Sequence, residues 1–152
     1  MSHIWKPHVT VAAIVEQDEK FLMVEEETPD GLMFNQPAGH LEEGETIIEA
    51  AIRETQEETA YRFSPQSLLG IYHWKHPQKE PTYLRFAFIG GVSEHNPAQT
   101  LDDGIVRAVW MSLDEIRAKT HRHRSPQVMT CIEDYLAGKQ FPLTLLTHLL
   151  YD

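Results

Sequence analysis

A chain of 152 residues with 41 % apolar and 24 % charged residues has the make-up of a single globular domain over 1–152, which excludes extended disorder and a membrane-embedded bundle. The formal net charge of −10 argues against a nucleic-acid-binding surface, so neither nucleic acid nor membrane is expected as a partner. A lone cysteine, Cys131, forms no internal disulfide, and the N-terminus lacks a basic stretch followed by a long apolar one; both features point to the cytoplasm, with Cys131 as a buried structural residue.

In chain order, Val9, Val11, Ala13 and Val15 alternate on one side of a strand, and Lys20 to Val24 supplies a second strand after a polar turn. An acid-rich loop with Pro29 and Gly31 then leads into a short strand over Leu32 to Gln36 and a tight turn at Pro37-Ala38-Gly39. A helix is predicted from about Thr46 to Thr59, with Thr46 as N-cap because Glu49 stands three residues on. Ile47, Ala50 and Ala51 precede its acidic stripe, and small residues there let a sheet approach closely. Leu68 to Trp74, Tyr83 to Ile89 and Val106 to Met111 read as further strands. Ser112 with Glu115 caps a short helix to about Ala118, and Ser125-Pro126 opens another that Gly138 ends. Strands and helices in this order imply an α/β fold with a mixed β-sheet between helices.

Between Gly39 and Tyr61 the chain reads GHLEEGETIIEAAIRETQEETAY. At ~100° per residue, Glu54, Glu57 and Glu58 fall within roughly 100° of arc, so their oxygens share one helix face. Carboxylates crowded in this way repel one another unless a cation sits among them. Oxygen donors without cysteine or clustered histidine suit a hard ion such as Mg²⁺ or Mn²⁺, and such ions commonly carry phosphates. A bound divalent ion also reconciles the acidic chain with an anionic substrate, because it makes the site locally electropositive.

The spacing from Gly39 through Glu45, Arg53-Glu54 and Glu57-Glu58 resembles the Nudix box, G-x5-E-x7-R-E-U-x-E-E-x-G-U, where U is bulky and apolar. Six of the seven fixed residues are present, a match expected by chance at about 10⁻⁵ or less at ordinary residue frequencies. Ala60 replaces the last box glycine and Thr55 a larger apolar residue. Alanine at this helix end costs about 1 kcal/mol or pushes the end on to Tyr61, so an altered exit is expected. Thr55, on the core side with Ile48, Ile52 and Thr59, is expected to bond back to the preceding turn.

The resemblance implies a Nudix fold and metal-dependent hydrolysis of a phosphoanhydride, with Mg²⁺ as cofactor and Mn²⁺ as a substitute. Glu57 and Glu58 are then the main metal ligands, Glu54 a third ligand or the base that deprotonates water, and the Gly39 carbonyl a further donor. Arg53 organises the motif by pairing with Glu45, a bond that also reads as a plain loop-to-helix tether. Asp102 or Asp103 is an alternative base from a later loop. Segments outside the box, PHVTVA at Pro7, NQPAGHLE at Asn35, LRF at Leu84 and RSP at Arg124, are similar to small bacterial phosphatases of that family. That likeness implies release of terminal phosphate from nucleoside tri- and diphosphates and from hydroxymethylpyrimidine or thiamine diphosphate. A pyrophosphatase acting on ADP-ribose or dinucleotide polyphosphates is the alternative, and a non-catalytic nucleotide sensor the third reading. A monomer acting on small diphosphate or triphosphate molecules is expected, with a homodimer as the other state.

Substrate contacts are expected at Arg85, whose fork matches phosphate oxygens, at Phe34, Tyr83 and Trp74 as stacking rings, and at His40 beside Gly39. His73-x-x-His76 and His121-x-His123 lack companion ligands at structural-zinc spacing, so no zinc site is expected.

Overall fold

The computed structural model describes residues 3–150. Its strands are β1 (His8–Ile14), β2 (Glu16–Gln17), β3 (Lys20–Thr28), β4 (Gly31–Asn35), β5 (Ala38–His40), β6 (Arg62–Lys75), β7 (Thr82–Ser93) and β8 (Ile105–Ser112), and its helices α1 (Ile47–Thr59), α2 (Leu113–Ala118) and α3 (Gln127–Leu136). The first sheet is mixed, ordered β5-β1-β7-β6, with β1 and β7 parallel and the other pairs antiparallel. In the second, antiparallel sheet β3 pairs with β2, β4 and β8. The expected α/β class and the mixed sheet between helices are present, with the second sheet added.

Alternation along β1 divides the core in two. Val11, Ala13 and Val15 join Ala50 and Ala51 of α1, with Phe63, Leu68 and Phe88, on one face of the mixed sheet. Ala12 and Ile14 join Phe21, Met23, Ala87, Val128, Cys131 and Ile132 on the other. The small Ala50 and Ala51 let α1 lie close over β1, which carries the acidic end of the helix up to β5. Cys131 is buried, as expected. No helix among the described residues is long and apolar enough to cross a membrane.

Thr46 caps α1 through a full capping box with Glu49, and Ser112 caps α2 in the same way with Glu115. Thr55 Oγ1 donates to the Ala51 carbonyl at 2.8 Å, the expected back-bond. At Ala60 the expectation of an altered exit is corrected. The helix stops at Thr59, and Ala60 takes the left-handed conformation, φ 63°, with its N–H on the Gln56 carbonyl at 2.9 Å. The exit is the one a glycine would make, and alanine accepts the strain because Tyr61 must turn straight into β6.

Other boundaries differ from expectation: β6 begins at Arg62 and β7 runs on to Ser93, and two differences lie beside the site. β3 continues through Glu25, Glu26 and Glu27, expected as loop, because β4 pairs with it on one side and β8 on the other. Ala38–His40, expected as a turn, forms the edge strand β5 against Thr10, Val11 and Ala12.

Candidate active site

The C-terminal half of α1, the edge strand β5, Glu26 on β3 and the loop before β8 meet at one place. Arg53 is its centre. Its Nε and Nη2 donate to the two Glu45 oxygens at 3.0 and 2.7 Å, the bidentate pair expected from sequence. Nη1 donates to Glu54 at 2.8 Å and to Glu57 at 3.2 Å, and Nη2 also donates to the His40 carbonyl at 2.9 Å. Arg53 therefore supplies part of the positive charge that the acidic stripe demands, beyond the loop tether expected from sequence. The pairing holds the Glu45 carboxyl below the ordinary glutamate range.

Glu54 packs its carboxylate against Gly39, where a Cβ would lie 2.1 Å from Glu54 Cδ. Glycine leaves room for that carboxylate, which any larger residue would displace. Glu58 accepts from the Ala38 N–H at 2.9 Å. Burial pushes the Glu58 carboxyl up to about 9 against the pull of that N–H, and the negative charges of Glu54, Glu26 and Asp102 add to the rise. Glu54 is also raised, mainly by burial, with Arg53 opposing and Glu57 and Asp102 adding.

Glu57 is the most open of the three, with its side chain 41 % exposed. Among the described residues no three His, Cys, Asp or Glu side chains stand close enough to chelate an ion as they are. The donor chemistry nonetheless fits a hard divalent cation. Glu58 and Glu54 are buried carboxyls whose anionic forms are disfavoured by burial and by neighbouring acids, and a cation among oxygen donors relieves both.

Of the two loop acids, Asp102 reaches the site: its N–H donates to the Glu57 carbonyl at 3.0 Å, and its charge bears on Glu54 and Glu58. Asp103 is exposed.

Glu26 was missed by sequence reasoning because it lies in a stretch that reads as acidic loop. It pairs with Arg124 at 3.5 Å, and burial raises its carboxyl against the opposing pull of Arg124, Asn35 and Arg85. Its only sequence signal is its place two residues after the apolar run of β3.

The expected substrate contacts separate. Phe34 is corrected to a core residue: it is 2 % exposed, with the Arg122 guanidinium 4.5 Å over its ring, so no face is open for stacking. Arg85 is 4 % exposed and donates to Gln36 Oε1 and Asn35 Oδ1, both at 3.0 Å, while its Nε has no acceptor. His40, Tyr83 and Trp74 do come together, at the end of the mixed sheet beyond Gly39. His123 Nε2 lies 2.8 Å from the Ile116 carbonyl, and His76 Nδ1 accepts from the Gln78 N–H at 3.0 Å, so both rings serve local structure.

Likeness to known proteins agrees with this geometry. A NUDIX domain model matches residues 6–130. Phosphatase NudJ of Shigella boydii serotype 4 is 42 % identical over 143 residues, covering 94 % of this chain and 92 % of its own, and Phosphatase NudJ of Escherichia coli strain K12 is 41 % identical over the same span. A solved structure of a NUDIX hydrolase from Nitrosomonas europaea superposes with a TM-score of 0.91 at 57 % identity, covering 95 % of this chain and 98 % of that one. The matched span takes in both the Gly39 edge strand and the Arg53-centred acidic end of α1, and the chain belongs to the NUDIX family, as a hydrolase acting on phosphoanhydrides.

Proposed function

We propose that this chain is a cytoplasmic, single-domain, Mg²⁺-dependent phosphatase, with Mn²⁺ as a substitute. It releases the terminal phosphate of nucleoside tri- and diphosphates and of hydroxymethylpyrimidine or thiamine diphosphate. The observation that carries the reading is the 42 % identity to Phosphatase NudJ across 94 % of the chain. Glu57 and Glu58, with Glu54 and the Gly39 carbonyl, are the proposed holders of the ion. A divalent ion held there supplies charge neutralisation for the phosphoanhydride and acidifies water.

The protein's own groups do the rest. Glu54, oriented by Arg53 at 2.8 Å and wedged against Gly39, accepts the proton of the attacking water. Asp102, whose backbone N–H is tied to the last turn of α1, is the alternative base. Arg53 and Glu45 lock the β5 loop to the helix and so fix Gly39 and Glu54 relative to each other. Arg85 offers its unpartnered Nε–H to a substrate phosphate, and His40 and Tyr83 line the path of the organic group.

Incubation of the purified protein with a panel of diphosphates and Mg²⁺ tests the proposal. Orthophosphate from UTP or hydroxymethylpyrimidine diphosphate supports it. AMP from ADP-ribose as the main product would replace it with a pyrophosphatase, and binding without turnover would make the chain a nucleotide sensor.

A further inference from the structure

Between β7 and β8 the chain crosses the C-terminal end of α1 through residues 94–104. Asn96-Pro97-Ala98-Gln99 has the residues of a tight turn, with asparagine first and proline second, and the structure forms one: the Gln99 N–H donates to the Asn96 carbonyl and the Ala98 N–H to Asn96 Oδ1, both at 3.1 Å. The turn presents Gln99 to the helix. Gln99 is half-buried, whereas residues 93–98 and Thr100 are exposed. Its Nε2 donates to the Gln56 carbonyl at 2.6 Å, and its Oε1 accepts from Gln56 Nε2 at 2.7 Å. A carbonyl can only accept, so the amide nitrogen of Gln99 must face it, and that choice fixes the direction of the second bond.

The end of a helix leaves carbonyls without partners, and this loop supplies donors to them. Besides Gln99 on Gln56, the Asp102 N–H donates to the Glu57 carbonyl and the Asn96 N–H to the Ala60 carbonyl, both at 3.0 Å. Asp102 is thereby bonded to a residue of the acidic stripe, and its own carbonyl accepts from the Ile105 N–H at 3.1 Å as β8 begins. Its charge bears on Glu54 and Glu58. The three ties differ in kind. The Asn96 and Asp102 bonds come from main-chain N–H groups, which any residue but proline supplies. The Gln99 pair is the one side-chain hydrogen-bond contact between the loop and α1 among the described residues, and it stands three residues before Asp102.

We infer that Gln99, paired with Gln56, is a positioning residue for the reaction: it docks the 94–104 loop on the end of α1 and so holds Asp102 at the acidic face. The inference rests on the hydrolase reading above and requires that Asp102 take part in turnover.

The test is a double-mutant cycle in UTP hydrolysis with Mg²⁺, with kcat and KM read separately. Gln99→Leu, which removes both bonds at similar side-chain size, is expected to lower kcat about tenfold with KM nearly unchanged, the usual loss when a group that orients a reacting one is removed. Gln56→Leu leaves Gln99 on the Gln56 carbonyl and should cost less. In an Asp102→Asn background, itself slower than wild type, Gln99→Leu should cost nothing further, because residues that act as a unit are not additive. Hydrogen exchange gives a reading without turnover: in Gln99→Leu the Asp102 amide should exchange faster while the middle of α1 keeps its protection. The same factor lost in both backgrounds, wild-type kcat in Gln99→Leu, or unchanged exchange at Asp102 would overturn the inference. Loss of protection throughout α1 would overturn it too, by making Gln99 a general stabiliser. So would wild-type kcat in Asp102→Asn, an outcome that leaves the hydrolase reading intact. Wild-type protein that turns over no diphosphate would instead overturn the hydrolase reading, and this inference with it.

Discussion

Gly39→Ala gives a direct test of the geometry around Glu54. A methyl at Gly39 would sit 2.1 Å from Glu54 Cδ and 2.2 and 2.4 Å from its oxygens. Ordinary carbon contacts begin near 3.5 Å, so the carboxylate must withdraw by about 1.4 Å. Gly39 is not among the residues with positive φ, so alanine adds no backbone strain. The displaced group is the end of a flexible side chain, and the overpacking should destabilise the protein by about 1–3 kcal/mol. Withdrawal also breaks the 2.8 Å bond from Arg53. Misplacing a catalytic group by about 1 Å can lower a rate ~100-fold, so kcat/KM is expected to fall by about that factor while the protein remains folded. Phosphate release with Mg²⁺ and a thermal melt measure the two effects. Wild-type turnover by folded Gly39→Ala protein would refute the placement of Glu54.

Three further outcomes are expected. Glu57→Gln should abolish Mg²⁺-dependent turnover and leave the circular dichroism spectrum unchanged, because Glu57 is open to solvent and supports little packing; near-normal activity would sink its assignment as a ligand. In EDTA, the folded state holds the Glu58 proton up to about 9, far above an unfolded glutamate. The folded protein thus binds that proton more tightly, and stability should fall as pH rises from 7 to 9, by up to about 1.4 kcal/mol per unit. His40, lowered by burial and by His8, titrates below this window. A flat or rising melting temperature there would contradict the burial of Glu58. Ala60→Gly should stabilise the protein by about 1 kcal/mol in urea titration, since it removes the left-handed strain at φ 63°; destabilisation would mean that the buried methyl outweighs the strain.

The parts of the site that lie on one helix were legible in the sequence, because spacing on a helix fixes direction. The box spacing placed Glu54, Glu57 and Glu58 on one face and paired Glu45 with Arg53, and the two capping boxes marked where α1 and α2 begin. What could not be read depends on contacts distant in the chain. Glu26 looks like loop until β4 and β8 are seen to pair on either side of β3. Phe34 looks like a stacking ring until Arg122, a side chain from far along the chain, covers it. Ala60 shows the opposite limit: the departure from glycine was visible, but the turn into β6 decided how alanine would respond.

The central claim is that the acidic end of α1 is a divalent-metal site for phosphoanhydride hydrolysis. Phosphorus NMR of UTP incubated with the purified protein follows bond cleavage and product identity together. Orthophosphate and UDP should appear with Mg²⁺, and their release should cease with EDTA. Cleavage that continues unchanged in EDTA, or no cleavage of any diphosphate with Mg²⁺, would contradict it.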